Sequence, residues 1–193
     1  MNQPFQIPLY TQNINLSSFN IIKDEVKTYI ATNLNKFSEN WDCPTKSTVS
    51  IPRHENIKSI LLEKEIKTHT ELYFKNWGFI LSNLKLNHLW VNLSPPNAYQ
   101  ESHKHTGFLN KNIFSGVLYI EVQDNSGNLV LVNPIEDLLG LMPPSNSIIP
   151  RYNIKPQNGL IVFFPSWMEH YTTQNKTESN RISVSWNIEV INN

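Results

Sequence analysis

The chain has a single cysteine, Cys43, so no disulfide can form within it, and a reducing compartment suits it. It has no surplus of either charge: Lys and Arg total 16, as do Asp and Glu. That balance argues against a broad basic surface for nucleic acid or an anionic membrane. No apolar run approaches the roughly 18 residues that a membrane helix requires. The opening Met1-Asn2-Gln3-Pro4-Phe5-Gln6-Ile7-Pro8 has neither the basic nor the apolar region of a signal peptide. Internal repeats and low-complexity tracts are missing too. These absences lead us to expect a soluble, cytoplasmic protein with no nucleic-acid or membrane partner. At 193 residues it is one domain with length enough to bury a core.

What is present divides the chain by texture. Residues 1–83 read as a mainly helical layer. Ser17 and Ser18 would cap a helix carrying Ile21, Ile22, Val26 and Ile30 at near-helical spacing. A clearer helix is expected over 56–76, with Ile57, Ile60, Leu61, Leu72 and Tyr73 as its buried stripe and Gly78 as its stop. From residue 84 the sequence turns to short runs rich in Val, Ile, Phe, Tyr and Trp. These lie at 86–93, 101–106, 113–122, 128–132, 148–154, 160–164, 169–173 and 181–191, broken by Asp124-Asn125-Ser126-Gly127, Pro143-Pro144 and Gln157-Asn158-Gly159. Eight short strands over 84–193 indicate a β-sandwich, jelly roll or barrel, with the helices packed on it.

The chemistry-bearing residues fall in this β-region. His103 and His105 stand two apart in a strand-like run, so both side chains, and that of Glu101, share one face. Two imidazoles so placed can grip a metal from one side. His170 follows Phe164-Pro165-Ser166-Trp167-Met168-Glu169, an apolar strand ended by proline, a corner and a new strand, which delivers one side chain to the interior. Surface polarity and a corner residue are the plain alternatives. The other histidines, His54, His69 and His88, are read as structural or exposed. Arg181 opens the last strand with Ser183 and Ser185 on its face. If that face points inward the guanidinium needs an anion, from an internal salt bridge or from a bound carboxylate clamped with help from the Ser183 hydroxyl.

The runs Ser115-Gly116-Val117-Leu118-Tyr119-Ile120 and Ser126-Gly127-Asn128-Leu129-Val130, with Gly159 to Pro165, His170 and Arg181-Ile182-Ser183, resemble the iron(II)- and 2-oxoglutarate-dependent oxygenases. The likeness is nearest to the small members of that superfamily from marine bacteria and their viruses, and it covers residues 86–190. It implies a mainly β, double-stranded β-helix (a cupin-like jelly roll), a mononuclear Fe(II), and 2-oxoglutarate as co-substrate. The implied activity is hydroxylation of a substrate with release of succinate and CO2. His103 would be the first ligand and His170 the distal one. Arg181 with Ser183 would bind the far carboxylate of 2-oxoglutarate, with Asn92 and Tyr119 orienting it.

One departure stands out. The family pattern is His-x-Asp or His-x-Glu, and this chain has His105 where the carboxylate belongs. Either His105 completes a three-histidine set, which also suits Zn(II), or Glu101 supplies the carboxylate. The segment from Leu138 to Asn146 reads as a substrate lid or a packed connection, and Trp90, Trp167, Trp186, Phe163 and Phe164 as pocket wall or core. Two rival readings keep the jelly roll. One is a three-histidine cupin-type enzyme without 2-oxoglutarate, resembling a thiol dioxygenase or a zinc hydrolase. The other is a non-catalytic binding module. The substrate, whether a small molecule or a peptidyl residue, is not legible. An exposed Val/Ile-rich edge strand would allow pairing into a homodimer.

Overall fold

The computed structural model describes residues 6–39, 42–79, 84–106, 111–143 and 149–190. Eight strands of the β-region form its frame: β4 (Leu84–Ser94), β5 (Gln100–His103), β6 (Asn112–Glu121), β7 (Leu129–Val132), β8 (Arg151–Ile154), β9 (Leu160–Pro165), β10 (His170–Thr172) and β11 (Arg181–Val190). Each pairs antiparallel with the strand equally far from the other end of the series: β4 with β11, β5 with β10, β6 with β9, β7 with β8. The pairs alternate between two sheets, ordered β9-β6-β11-β4 and β5-β10-β7-β8. That winding is the expected double-stranded β-helix.

The preceding segment adds β1 (Tyr10–Asn13), α1 (Leu16–Asn33), β2 (Ser38–Glu39), β3 (Lys46–Ser47) and α2 (Ile60–Trp77). β1 extends the larger sheet beyond β9, and the β2–β3 hairpin extends it beyond β4. These strands run only two to four residues, too short for an alternating pattern to reveal them in sequence. The helix limits also differ from expectation. Asn15, not Ser17 or Ser18, caps α1, its Oδ1 accepting from the Ser17 N–H at 2.8 Å. Ser59 caps α2 through the Leu62 N–H, and Gly78 ends it in the left-handed conformation at φ 68°. The buried stripe of α2 is Leu62, Ile66, His69, Thr70, Tyr73 and Phe74, whereas Ile60 is 90% exposed. Ile60 is the first residue of the helix, and there the turn faces water.

The larger sheet is buried on both faces. Leu89, Val91, Leu118, Ile120, Ile161, Phe163, Ile182, Val184, Trp186 and Ile188 meet Phe19, Ile22 and Val26 of α1 and Leu62, Ile66, Tyr73 and Phe74 of α2. Between the sheets lie Val117, Tyr119, Leu129, Leu131, Ile154, Val162, Phe164 and Met168. Strand β9, apolar on both faces, reads as one continuous run. Strand β11 alternates instead, because the inward face it shows is polar: Arg181, Ser183, Ser185 and Asn187.

Candidate metal centre

The inward residues form rungs across three neighbouring strands. Arg181 stands opposite Ser94; Ser183 opposite Asn92 and Tyr119; Ser185 opposite Trp90 and Val117; Asn187 opposite His88 and Ser115. Facing them from the smaller sheet, His170 on β10 is the direct register partner of His103 on β5. His105 lies just past the end of β5, where its backbone N–H donates to Ser166 O at 2.9 Å. One ligand-capable nitrogen from each of these three histidines lies within 4.8 Å of the others. The ring centroids are 4.3 Å (His103–His170), 4.8 Å (His105–His170) and 5.2 Å (His103–His105) apart.

The hydrogen bonds decide which nitrogen faces the cluster. His103 Nδ1–H donates to Glu101 O at 2.8 Å and His170 Nδ1–H to Met168 O at 2.9 Å, since a carbonyl can only accept. His105 Nδ1 lies 2.8 Å from both Asn187 Oδ1 and Ser115 Oγ. All three Nδ1 atoms are engaged by the protein, which leaves three Nε2 lone pairs for a cation. Burial keeps the rings neutral. It pushes His103 below the ordinary histidine value and His170 well below it, with the neighbouring imidazoles adding to the effect on His170. His105 is pushed down to about 4, first by burial and then by His103, with Asn187 opposing. Neutral imidazole is the metal-binding form.

Glu101 is not part of this cluster. Between His170 and Thr172 the β5–β10 register slips, with Thr172 opposite Gln100, so β5 carries one extra residue. The bulge brings Gln100 into the pocket, and the Glu101 carboxylate stays outside the cluster, its Oε1 accepting from the Asp42 N–H at 3.3 Å. Of the two expected ways to complete the set, the histidine stands in the cluster and the Glu101 carboxylate does not. Among the described residues no carboxylate joins the three histidines.

At the other end of the pocket Arg181 is only 4% exposed. Its Nη1 donates to Ser126 O and Gly127 O at 3.2 and 3.3 Å, and its Nη2 to Ser94 Oγ and Thr172 Oγ1 at 3.2 and 3.1 Å. None of these partners carries charge, and no described carboxylate forms an ion pair with it. Burial pulls the guanidinium below the usual arginine value, and the buried Tyr119 hydroxyl beside it is pushed up to about 12. Gly127, at φ 93°, makes the seat: a Cβ there would lie 2.2 Å from Thr173 O and 2.9 Å from Arg181 Nη1. Asn92 Nδ2 donates to Ser185 Oγ at 3.0 Å, while Asn92 Oδ1 and Trp90 Nε1, both in the pocket wall, are buried without a partner. An uncompensated buried cation and orphaned polar atoms beside three convergent lone pairs fit a metal with an oxygen-rich anionic ligand.

The remaining expected residues sort by strand face. Trp90 and Phe164 line the pocket; Phe163 and Trp186 face the helices, and Trp167 is exposed. His69 bonds the Tyr10 hydroxyl at 2.7 Å and His88, against Trp90, donates to Val49 O at 2.8 Å; neither belongs to the cluster, and His54 lies at the surface. Of the lid segment, residues 144–146 lie outside the described residues. Leu138, Leu141 and Met142 are exposed and line no part of this pocket. Sequence reasoning missed Gln100, Ser94, Thr172, Ser115, Ser166 and Asn187. Asn187 was within reach, since it continues the Arg181, Ser183, Ser185 alternation.

A jelly roll with a partly buried histidine cluster and an arginine anion seat defines a mononuclear metalloprotein of the cupin-like class. Within it, residues 88–187 match the family described as "Putative 2OG-Fe(II) oxygenase", and the chain belongs to that family, whose cofactor and co-substrate are Fe(II) and 2-oxoglutarate. Comparison with curated protein sequences finds no match. Among solved structures it is similar to a Pseudomonas putida prolyl-4-hydroxylase (TM-score 0.68, 13% identity, 96% of this chain and 94% of that one). It is also similar to HygX from Streptomyces hygroscopicus with nickel, 2-oxoglutarate and hygromycin B bound (0.64, 9%, 95% and 83%). A third is the viral collagen prolyl hydroxylase of Paramecium bursaria Chlorella virus-1 in its 2-oxoglutarate complex (0.61, 11%, 96% and 97%). At these identities the likeness is one of fold.

Proposed function

We propose that the protein is a dioxygenase in which His103, His105 and His170 hold Fe(II) through Nε2, and Arg181 with Ser183 holds the distal carboxylate of 2-oxoglutarate. The carrying observation is the pairing of three convergent imidazole lone pairs with a buried guanidinium that lacks a described counter-ion, both lining one pocket. Bound there, the iron and 2-oxoglutarate supply the oxidation of a substrate C–H bond by dioxygen, with release of succinate and CO2.

The chain's own residues bind and orient. Arg181 offers a buried positive charge whose position Ser94, Thr172 and the Ser126 and Gly127 carbonyls fix in advance, so little entropy is lost when an anion arrives. Asn92 and Tyr119 occupy the rung between Arg181 and the histidines and add polar contacts. Trp90, Val117, Leu129 and Phe164 keep water from the metal end. No side chain is needed to move a proton. The single buried Cys43 supports a cytoplasmic location.

Anaerobic titration with Fe(II) and then 2-oxoglutarate tests the reading through the visible absorption of a chelated 2-oxo acid. The band should appear in the wild type and be lost in Arg181→Leu, with metal affinity little changed. Metal binding without the band in the wild type would favour a three-histidine enzyme that does not use 2-oxoglutarate.

A further inference from the structure

Two of the three imidazoles are oriented by backbone carbonyls, which can only accept, so their tautomer is fixed by the fold. His105 differs. Its Nδ1 faces a side-chain amide and a hydroxyl, 2.8 Å to Asn187 Oδ1 and 2.8 Å to Ser115 Oγ. Either tautomer of the ring could be satisfied by groups of this kind. The proton count settles which one is. Ser115 donates its only hydroxyl proton to Asn187 Oδ1 at 2.8 Å, so only its lone pairs remain for His105 and for Ser166, whose Oγ is also 2.8 Å away. His105 Nδ1 must then carry the proton, and Nε2 presents a lone pair to the cluster. Rotating the Asn187 amide by half a turn would reverse this: the NH2 group would donate to Nδ1, and Nε2 would hold a hydrogen where the cation belongs.

We propose that Asn187, braced by the Ser115–Ser166 hydroxyl pair, is the positioning residue that commits His105 to the Nδ1–H tautomer and so makes it the third metal ligand in place of a carboxylate. The proposal rests on the three-histidine reading of the site. Asn187 is 9% exposed, and Ser115 and Ser166 are fully buried, so water cannot take over their work. A neutral amide in this role leaves the ligand set uncharged, which a buried aspartate there would not.

The test uses the full chain. Fe(II) affinity is measured anaerobically by calorimetry for the wild type, Asn187→Leu, Asn187→Asp and His170→Ala, and the imidazole tautomers of the metal-free proteins are read by 15N NMR. Asn187→Leu is expected to lower Fe(II) affinity about 10- to 100-fold and to mix the His105 tautomers. Asn187→Asp, which can only accept, should restore both. Unchanged affinity and tautomer in Asn187→Leu, with metal binding lost in His170→Ala, would overturn the proposal and leave the metal centre standing. A wild type that binds no metal would overturn the centre and the proposal together. If Asn187→Leu does not fold, Ser115→Ala carries the test, because it removes the hydroxyl that orients the amide. A single Nδ1–H tautomer at His105 in that variant would count against the network.

Discussion

A buried arginine held only by neutral acceptors is costly, since the desolvation of its charge is not returned by an ion pair. Arg181 is tolerated because four oxygens are placed for it, and two of them depend on Gly127 having no side chain. Gly127→Ala would force a Cβ against Thr173 O and Arg181 Nη1 at a φ of 93°, a backbone state L residues rarely adopt. We expect it to weaken 2-oxoglutarate binding at least tenfold while Fe(II) affinity holds; an equal loss of both would mean the strand ends had moved as a unit. The histidines carry a separate cost. Each stays neutral when folded but takes up a proton near pH 6.5 when unfolded. Below that pH the unfolded chain binds more protons, so this contribution to stability is complete above about pH 6.5 and declines as the pH falls toward the value near 4 of His105. Urea midpoints of the metal-free protein should fall between pH 7 and 5, and His105→Gln should flatten that slope.

At the scale of elements, one bulge changes which residues of β5 reach the pocket. Strict alternation from His103 would turn Gln100 away from the pocket, and a one-residue slip in β5 brings it in. Nothing in Gln100-Glu101-Ser102-His103 announces a bulge, because the extra residue is neither glycine nor proline. Helix α2 shows the other side of legibility. Its Gly78 stop is plain in the sequence, but its buried stripe is not, because Ile60 and Leu72 are apolar residues spent on solvent. The Ser59 hydroxyl accepts from Leu62 N–H and donates to Glu25 of α1, so one side chain caps α2 and ties the helices together. Ser59→Ala should cost about 1 kcal/mol or somewhat more in equilibrium unfolding. A neutral result would show that water replaces both contacts.

For the whole molecule, eight short β-rich runs between turn signals narrow the chain to a sandwich, jelly roll or barrel, and the family resemblance selects the jelly roll among them. The sheets are not equally legible. β9, sandwiched between the helices and the second sheet, has an unbroken Leu160-Ile161-Val162-Phe163-Phe164 that says strand but not which face is which. β11 alternates polar and apolar, and that pattern reveals the inward direction of Arg181 and Ser183. The N-terminal strands are invisible because each contributes too few residues to show a period, and only the sheet edges they join explain them.

The nested pairing also sets an order of assembly. Joining β7 to β8 closes the shortest loop, and each further pair encloses the one before it, so β4 and β11 meet across the longest stretch of chain. Loop closure costs entropy, and contacts distant along the chain are slow to form. His103 and His170 come face to face when β5 finds β10, one step before the last. Arg181 and Asn187 arrive only with the final strand. Iron present during refolding should therefore find a two-histidine site before the third ligand is oriented or the anion seat exists, and stopped-flow refolding in Fe(II) would resolve weak capture followed by tightening as the barrel closes.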